Sequence, residues 1–143
     1  MQEQVLQTET LVRCTKYKSD DYKLICDWMG KRGIAPPDIS DMPKIGYIVF
    51  IDQKPVCMAF LRMVEGGFAQ IDGLVTNPDE SKENRHLGND IVTDRLIKKA
   101  EEFGLKGICS FSVDDNTVNR AKKHGFQVLN HKVFFLDLRT KIQ

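Results

Sequence analysis

Three apolar runs of strand length follow one another between residues 45 and 75, joined by turns too short for anything but a reversal of direction. No other feature constrains the fold of this chain as tightly. Ile45-Gly46-Tyr47-Ile48-Val49-Phe50-Ile51 is β-branched and aromatic, and Asp52-Gln53-Lys54-Pro55 bounds it with turn residues. Residues 56–64 read as the returning strand and residues 68–75 as the next, with Glu65-Gly66-Gly67 between them as a glycine turn suited to an antiparallel hairpin. The expected product is a three-stranded antiparallel meander.

Before the meander, Thr10-Leu11-Val12-Arg13-Cys14-Thr15 alternates at period two and reads as a short strand. Ser19-Asp20-Asp21 then supplies an N-cap and first-turn acids to a helix that carries Tyr22, Leu24, Ile25 and Trp28 and ends near Gly30. Pro36-Pro37 forbids helix in the following loop. After the meander, Asn77-Pro78 stops the strand, and residues 79–84 are charged and aperiodic, which predicts a loop. From Gly88 the pattern is helical: Val92, Leu96, Ala100 and Phe103 share one face, Asp94/Lys98 and Lys98/Glu102 are spaced for ion pairs, and Gly104 ends it. Residues 107–113 predict a short buried strand, residues 116–124 a helix cut off by Gly125, and Val133-Phe134-Phe135-Leu136-Asp137-Leu138 a final strand. The order β-α-β-β-β-α-β-α-β gives an α/β (α+β) fold with a mixed, mostly antiparallel central sheet and helices on both faces, because the long helix must cross over to a parallel neighbour.

A chain of 143 residues fits one domain, taken here as residues 1–143. Lysine and arginine number 21 against 20 acidic residues, which argues against a basic nucleic-acid or membrane-surface binder. Cys14, Cys26, Cys57 and Cys109 stand apart, without Cys-x-x-Cys or histidine at metal-ligand spacing, so reduced thiols and no metal are expected. Cys109 reads as a small buried hydrophobe. The polar start Met1-Gln2-Glu3-Gln4 lacks a secretory pattern and no apolar run reaches 18 residues, so a cytoplasmic protein is expected.

The stretch from Ile71 to Phe126 resembles the acyl-CoA core of the GNAT superfamily of N-acyltransferases, and the likeness extends from the first strand to the last. In that family the strand before the long helix splays from its neighbour and receives the pantetheine arm of acyl-CoA. The matching positions are Leu74 and Val75. The pyrophosphate sits at the following helix N-terminus on a pattern Arg/Gln-x-x-Gly-x-Gly/Ala, which the resemblance places at Arg85, His86, Gly88, Asn89 and Asp90. Free N-H donors and the positive end of the helix dipole are the physical basis of such a cradle. Asn116 matches the family asparagine that contacts the pantetheine.

Two features of the phosphate cradle depart from the family pattern. Six residues separate Pro78 from Arg85 where about two are usual, and Asp90 stands in place of glycine or alanine. A carboxylate about 5 Å from a bound phosphate would cost on the order of 3 kcal/mol at an effective dielectric near 20. Acids are also common in first helical turns because they complement the dipole. The family tyrosine that protonates the departing thiolate has no counterpart, since the tyrosines are Tyr17, Tyr22 and Tyr47, all upstream. Asp72 on the splayed strand and Glu65 at the preceding turn are candidates for general base, while His124 and His131 read as loop histidines.

The resemblance implies an acetyl-CoA-dependent N-acetyltransferase in which a small-molecule or protein amine attacks the bound thioester directly. The alternative is a GNAT-like module with impaired catalysis that serves in binding or assembly, a combination similar to GNAT-like proteins carried by bacteriophages. Residues 28–42 would then be a substrate lid or a partner surface. The final apolar strand could pair with a second subunit in a homodimer.

Overall fold

The computed structural model describes residues 10–112 and 114–141. Packing divides the chain into a unit that ends at Phe111 and a second that begins at Ser112. In the first, β1 (Val12–Lys16), α1 (Tyr22–Lys31), β2 (Ile45–Ile51), β3 (Lys54–Val64), β4 (Phe68–Thr76), α2 (Lys82–Glu102) and β5 (Gly107–Cys109) build a five-stranded sheet in sequence order. The first four strands are antiparallel and β5 joins β4 in parallel, with α2 as the crossover that parallel pairing requires. The second unit contains α3 (Asp115–Lys123) and a short 3-10 turn at Leu138–Lys141.

The meander forms as its turns dictate. Asp52 and Gln53 take positive φ values of 49° and 69°, the geometry of the two-residue hairpin turn whose twist matches the strands it joins. Gly66 and Gly67 occupy the same half of φ space at the next reversal. α1 begins differently from its pattern: Ser19–Asp21 is a 3-10 turn, and the Asp21 carboxylate, not the Ser19 hydroxyl, accepts the Lys18 N-H at 2.9 Å.

Both sheet faces are covered. On one, Val92, Leu96 and Ala100 of α2 pack on Tyr47, Val49, Ile51, Val56, Cys57, Ala59 and Leu61, all essentially without solvent exposure. On the other, Ile25 and Trp28 of α1 pack on Ile48, Met58 and Phe60. Removing such side chains from water contributes roughly 1.5–3 kcal/mol each. Phe60 fills a notch made by glycine: a Cβ at Gly46 would come within 2.3 Å of its ring, and one at Gly73 within 3.0 Å.

Several expectations from the sequence are corrected. α2 starts at Lys82 rather than Gly88, because Ser81 caps it by accepting the Asn84 N-H at 3.1 Å. Phe103 lies at the helix end, 48% exposed under the Lys99 ammonium, instead of on the buried face. β5 is three residues long and Cys109 is exposed, not buried. Val133 to Leu138 form no strand: residues 131–137 carry no ladder among the described residues, and Phe134 and Phe135 are 91% and 84% exposed. An apolar pattern makes a strand only where a neighbour accepts its hydrogen bonds. α3 starts at Asp115, one residue before the expected 116, because Asp114 caps it by accepting the Thr117 N-H and hydroxyl at 3.0 and 2.8 Å.

Gly46→Ala drives a methyl into an enclosed ring and is expected to lower stability by about 1–3 kcal/mol, read from the denaturant midpoint at unchanged m-value. Thr117, through its side chain and then its backbone N-H, holds the Asp114 carboxyl below its ordinary value, so its contribution to α3 is full above the unfolded carboxylate pKa. It is lost as pH falls through the lower folded value. Amide exchange in α3 is expected to accelerate on acidification in wild type and to be fast already at neutral pH in Asp114→Ala.

Candidate active site

The site is built on the far half of β4. β5 pairs with Phe68, Ala69 and Gln70 and then ends, while β4 runs on to Thr76, so among the described residues no strand takes the outer edge of residues 71–76. β4 bends as it leaves its neighbour. The register with β3 passes from Phe60↔Asp72 to Met58↔Val75, which sets Gly73 and Leu74 against Ala59 alone. This is a β-bulge, and Gly73 at φ 65° is the residue that allows it. A bulge bends its strand and raises the local twist, so β4 is turned at the point where its partner is lost. Leu74 is 40% exposed at the bend, and Val75 packs into the α1 core.

Asp72 fixes the bulge. One carboxylate oxygen accepts the Gly73 N-H at 2.8 Å, and the other accepts Nε of Arg62 at 2.9 Å and lies in an ion pair 2.9 Å from its Nη2. Arg62 Nη2 also donates to the Asp41 carbonyl at 3.3 Å, tying the proline-containing loop to the sheet. Asp72, the expected general base, thus stands at the bulge with both oxygens engaged by Gly73 and Arg62. Glu65 lies exposed at the turn on the opposite end of β4 from Thr76.

The expected cradle is wound into helix. With α2 starting at Lys82, Arg85 ends its first turn and donates its N-H to Ser81 O at 3.0 Å. The N-H groups of His86, Gly88, Asn89 and Asp90 lie deeper, where each is spent on the carbonyl four residues back. Gly88 serves helix-sheet approach: a Cβ there would lie 3.0 Å from Val56 Cγ1 and 3.1 Å from Cys57 Sγ. Asn89 is buried on the same side and His86 is exposed. The amides without a helical acceptor are those of Lys82 and Glu83, six and five residues before Gly88.

Asp90 is eight steps down the helix from Lys82, about 12 Å along the axis. At that separation one unit charge acts on another with about 1.4 kcal/mol at the same effective dielectric near 20 and about 0.3 kcal/mol in water, against about 3 kcal/mol at 5 Å, and dipole complementation fades within the first turn. The first-turn acid is Glu83.

Cations gather where β4 meets α2. Arg32, at the C-cap of α1, donates through Nη1 to Thr76 O and through Nη2 to Thr76 Oγ1 at 2.9 Å. Lys31 bridges Asp79 at 2.6 Å and Asp27 at 3.3 Å. The turn itself is held by Asn77, whose N-H donates to Val56 O at 2.7 Å and whose side chain donates to Pro55 O at 2.9 Å. Of the tyrosines, Tyr22 donates to Pro37 O, Tyr17 has a buried hydroxyl and meets Phe60 edge-on at 4.8 Å, and Tyr47 lies under the Arg95 guanidinium in the α2 core. Asn116 is in the first turn of α3, within the second unit. Among the described residues no group of three or more His, Cys, Asp or Glu is placed to hold a metal, and no helix is long and apolar enough to cross a membrane.

This arrangement matches solved structures in fold. A Trypanosoma brucei acetyltransferase superposes with a TM-score of 0.67 at 19% identity, covering 90% of this chain and all of the other. A GCN5-related N-acetyltransferase from Ralstonia eutropha gives 0.65 at 14% identity, covering 88% and 99%. The aminoglycoside N-acetyltransferase AAC(6')-Iy, solved in complex with CoA, gives 0.64 at 10% identity, covering 94% and 99%. The chain has the GNAT fold. No family model and no curated protein matches the sequence.

The GNAT resemblance read from Leu74, Val75 and the Arg85 pattern therefore holds at the level of fold. Sequence reasoning missed Ser81 as a cap, although serine ahead of Lys-Glu-Asn was a legible start signal. Arg32 and Arg62 carried no signal, because their partners are 44 and 10 residues away.

Asp90→Asn is expected to change the affinity for coenzyme A by no more than about tenfold by calorimetry. A gain of about a hundredfold would place the carboxylate at the phosphates.

Proposed function

We propose that this protein is an acyl-CoA-dependent N-acetyltransferase of the GNAT kind, acting on a small-molecule or protein amine. The observation that carries the reading is the edge of β4 that no strand covers beyond Gln70 among the described residues, bent at Gly73, whose backbone groups other than the Gly73 N-H and the Thr76 carbonyl are suited to an amide-containing pantetheine arm. Leu74 and Val75 supply that edge. The diphosphate would lie at the start of α2, near Arg85 and the first-turn amides of Lys82 and Glu83, instead of at Gly88 and Asn89.

In the reaction, the lone pair of a neutral amine attacks the thioester carbonyl and forms the C-N bond. The carbonyl oxygen takes negative charge that β4 N-H groups stabilise. Collapse breaks the C-S bond, the nitrogen gives up a proton and the CoA thiolate takes one. With Asp72 engaged by Arg62 and Gly73 and the Tyr17 hydroxyl buried against Phe60, both protons pass through water, and the rate comes from proximity and N-H polarisation. A missing general acid or base forfeits about 10²- to 10⁴-fold each, so turnover is slow.

The alternative, a module that binds without efficient transfer, is favoured by one observation: the pattern Arg85 to Asp90 is consumed by helix. Acetyl-CoA at millimolar concentration separates the readings. The melting temperature should rise by several degrees, and free thiol should appear when an amine panel is added. A rise without thiol release supports the binding module, and no rise removes both forms of acyl-CoA recognition.

A further inference from the structure

β1 has a strand on one side only. It pairs with β2, and the order of the sheet leaves its other edge uncovered among the described residues. The ladder decides which backbone groups face outward. Leu11 O accepts the Asp52 N-H at 2.8 Å, and the Tyr17 N-H donates to Gly46 O at 2.9 Å. In an antiparallel pair with this register, Leu11, Arg13, Thr15 and Tyr17 therefore turn their backbone groups toward β2. The N-H and C=O groups of Val12, Cys14 and Lys16 point away from the sheet, toward water or an incoming strand.

Both faces of this edge carry a cation without an acid. Arg13 lies opposite Phe50, which packs at the margin of the α1 core, and its guanidinium stands 4.5 Å over that ring. Stacking engages the flat face of the guanidinium and leaves its rim of N-H donors to a carboxylate. Lys16 is three residues on and so belongs to the other face, with Cys14, which packs toward the α2 core. Neither cation meets a carboxylate among the described residues. Apolar surface accompanies the charge: Leu11 is 61% and Val12 40% exposed, and a cavity of about 290 Å³ opens between Leu11, Arg13, Phe50 and Gln53.

We propose that the outer edge of β1 takes an extended acidic segment of a partner protein by strand addition. One acid of that segment pairs with Arg13, a second with Lys16, and an apolar side chain beside Leu11 enters the cavity. Main-chain hydrogen bonds supply the attachment and the two cations the choice of partner. A second copy of β1 would bring the same two positive charges to the edge, where they oppose pairing. The assignment is independent of the acyl-CoA reading, because β2 and β3 lie between β1 and β4.

Titration of the full chain with the blocked peptide Glu-Thr-Val-Glu-Val-Ile, followed by calorimetry, tests it. In antiparallel register that peptide sets its first Glu at Lys16, its second at Arg13 and its Ile at Leu11. It is expected to bind about tenfold more tightly than Lys-Thr-Val-Lys-Val-Ile, with an advantage that shrinks as salt is added. Arg13→Glu should reverse the preference. Val12→Pro removes an outward N-H and spares the ladder to β2, so it should weaken the acidic peptide about tenfold at an unchanged melting temperature. Equal binding of the two peptides, binding unmoved by Val12→Pro, or no binding at all overturns the assignment. Concentration-dependent dimers that Val12→Pro abolishes give the edge to a second copy and overturn it as well.

Discussion

The fold turns on the bulge at Gly73. A strand of nine residues beside one of three leaves backbone that must find other partners or water, and the bulge bends that backbone out of line with the sheet. Phe60 braces it from below, Asp72 locks it through its own Gly73 N-H, and Arg62 carries the constraint outward to the Asp41 carbonyl. These contacts are built from ordinary hydrogen bonds, yet together they hold a strand edge open in a chain whose remaining strands pair as an antiparallel meander.

The two cores explain why the edge can stay open. α2 and α1 cover opposite faces of β2 and β3, so most of the fully buried apolar side chains lie on the central strands, with Ile71, Val75 and Ile108 packed at the margins of the two cores. The same division explains Gly88. In a phosphate cradle its lack of a side chain would admit a ligand, whereas here it admits Val56 and Cys57, drawing α2 onto the sheet.

What the sequence revealed followed from local physics. The run Ile45 to Ile51, the glycine turn at Gly66-Gly67 and the stripe Val92, Leu96, Ala100 each carry their own instructions, and all were legible. The misreadings lay where a distant partner decides. Arg62, on the neighbouring strand, pairs with Asp72, a contact that no local pattern announces. Cys109 and Val133 to Leu138 have apolar character that pattern alone takes for burial, and neither is buried. The start of α2 was legible in Ser81 but was masked by the charged residues that surround it. The likeness of Arg85 to Asp90 to a phosphate motif was real in sequence, and it ended in a different structure because the helix begins one and a half turns too early.

The central claim is that the outer edge of β4 between Ile71 and Thr76 is the receiving surface for an acyl-CoA. Hydrogen-deuterium exchange of the backbone amides, with and without acetyl-CoA, tests it most directly. The account predicts that amides in residues 71–76 become protected on addition of ligand, while those of β2 and β3 are already slow and unchanged. Protection confined to other segments, with residues 71–76 exchanging as before, would contradict it.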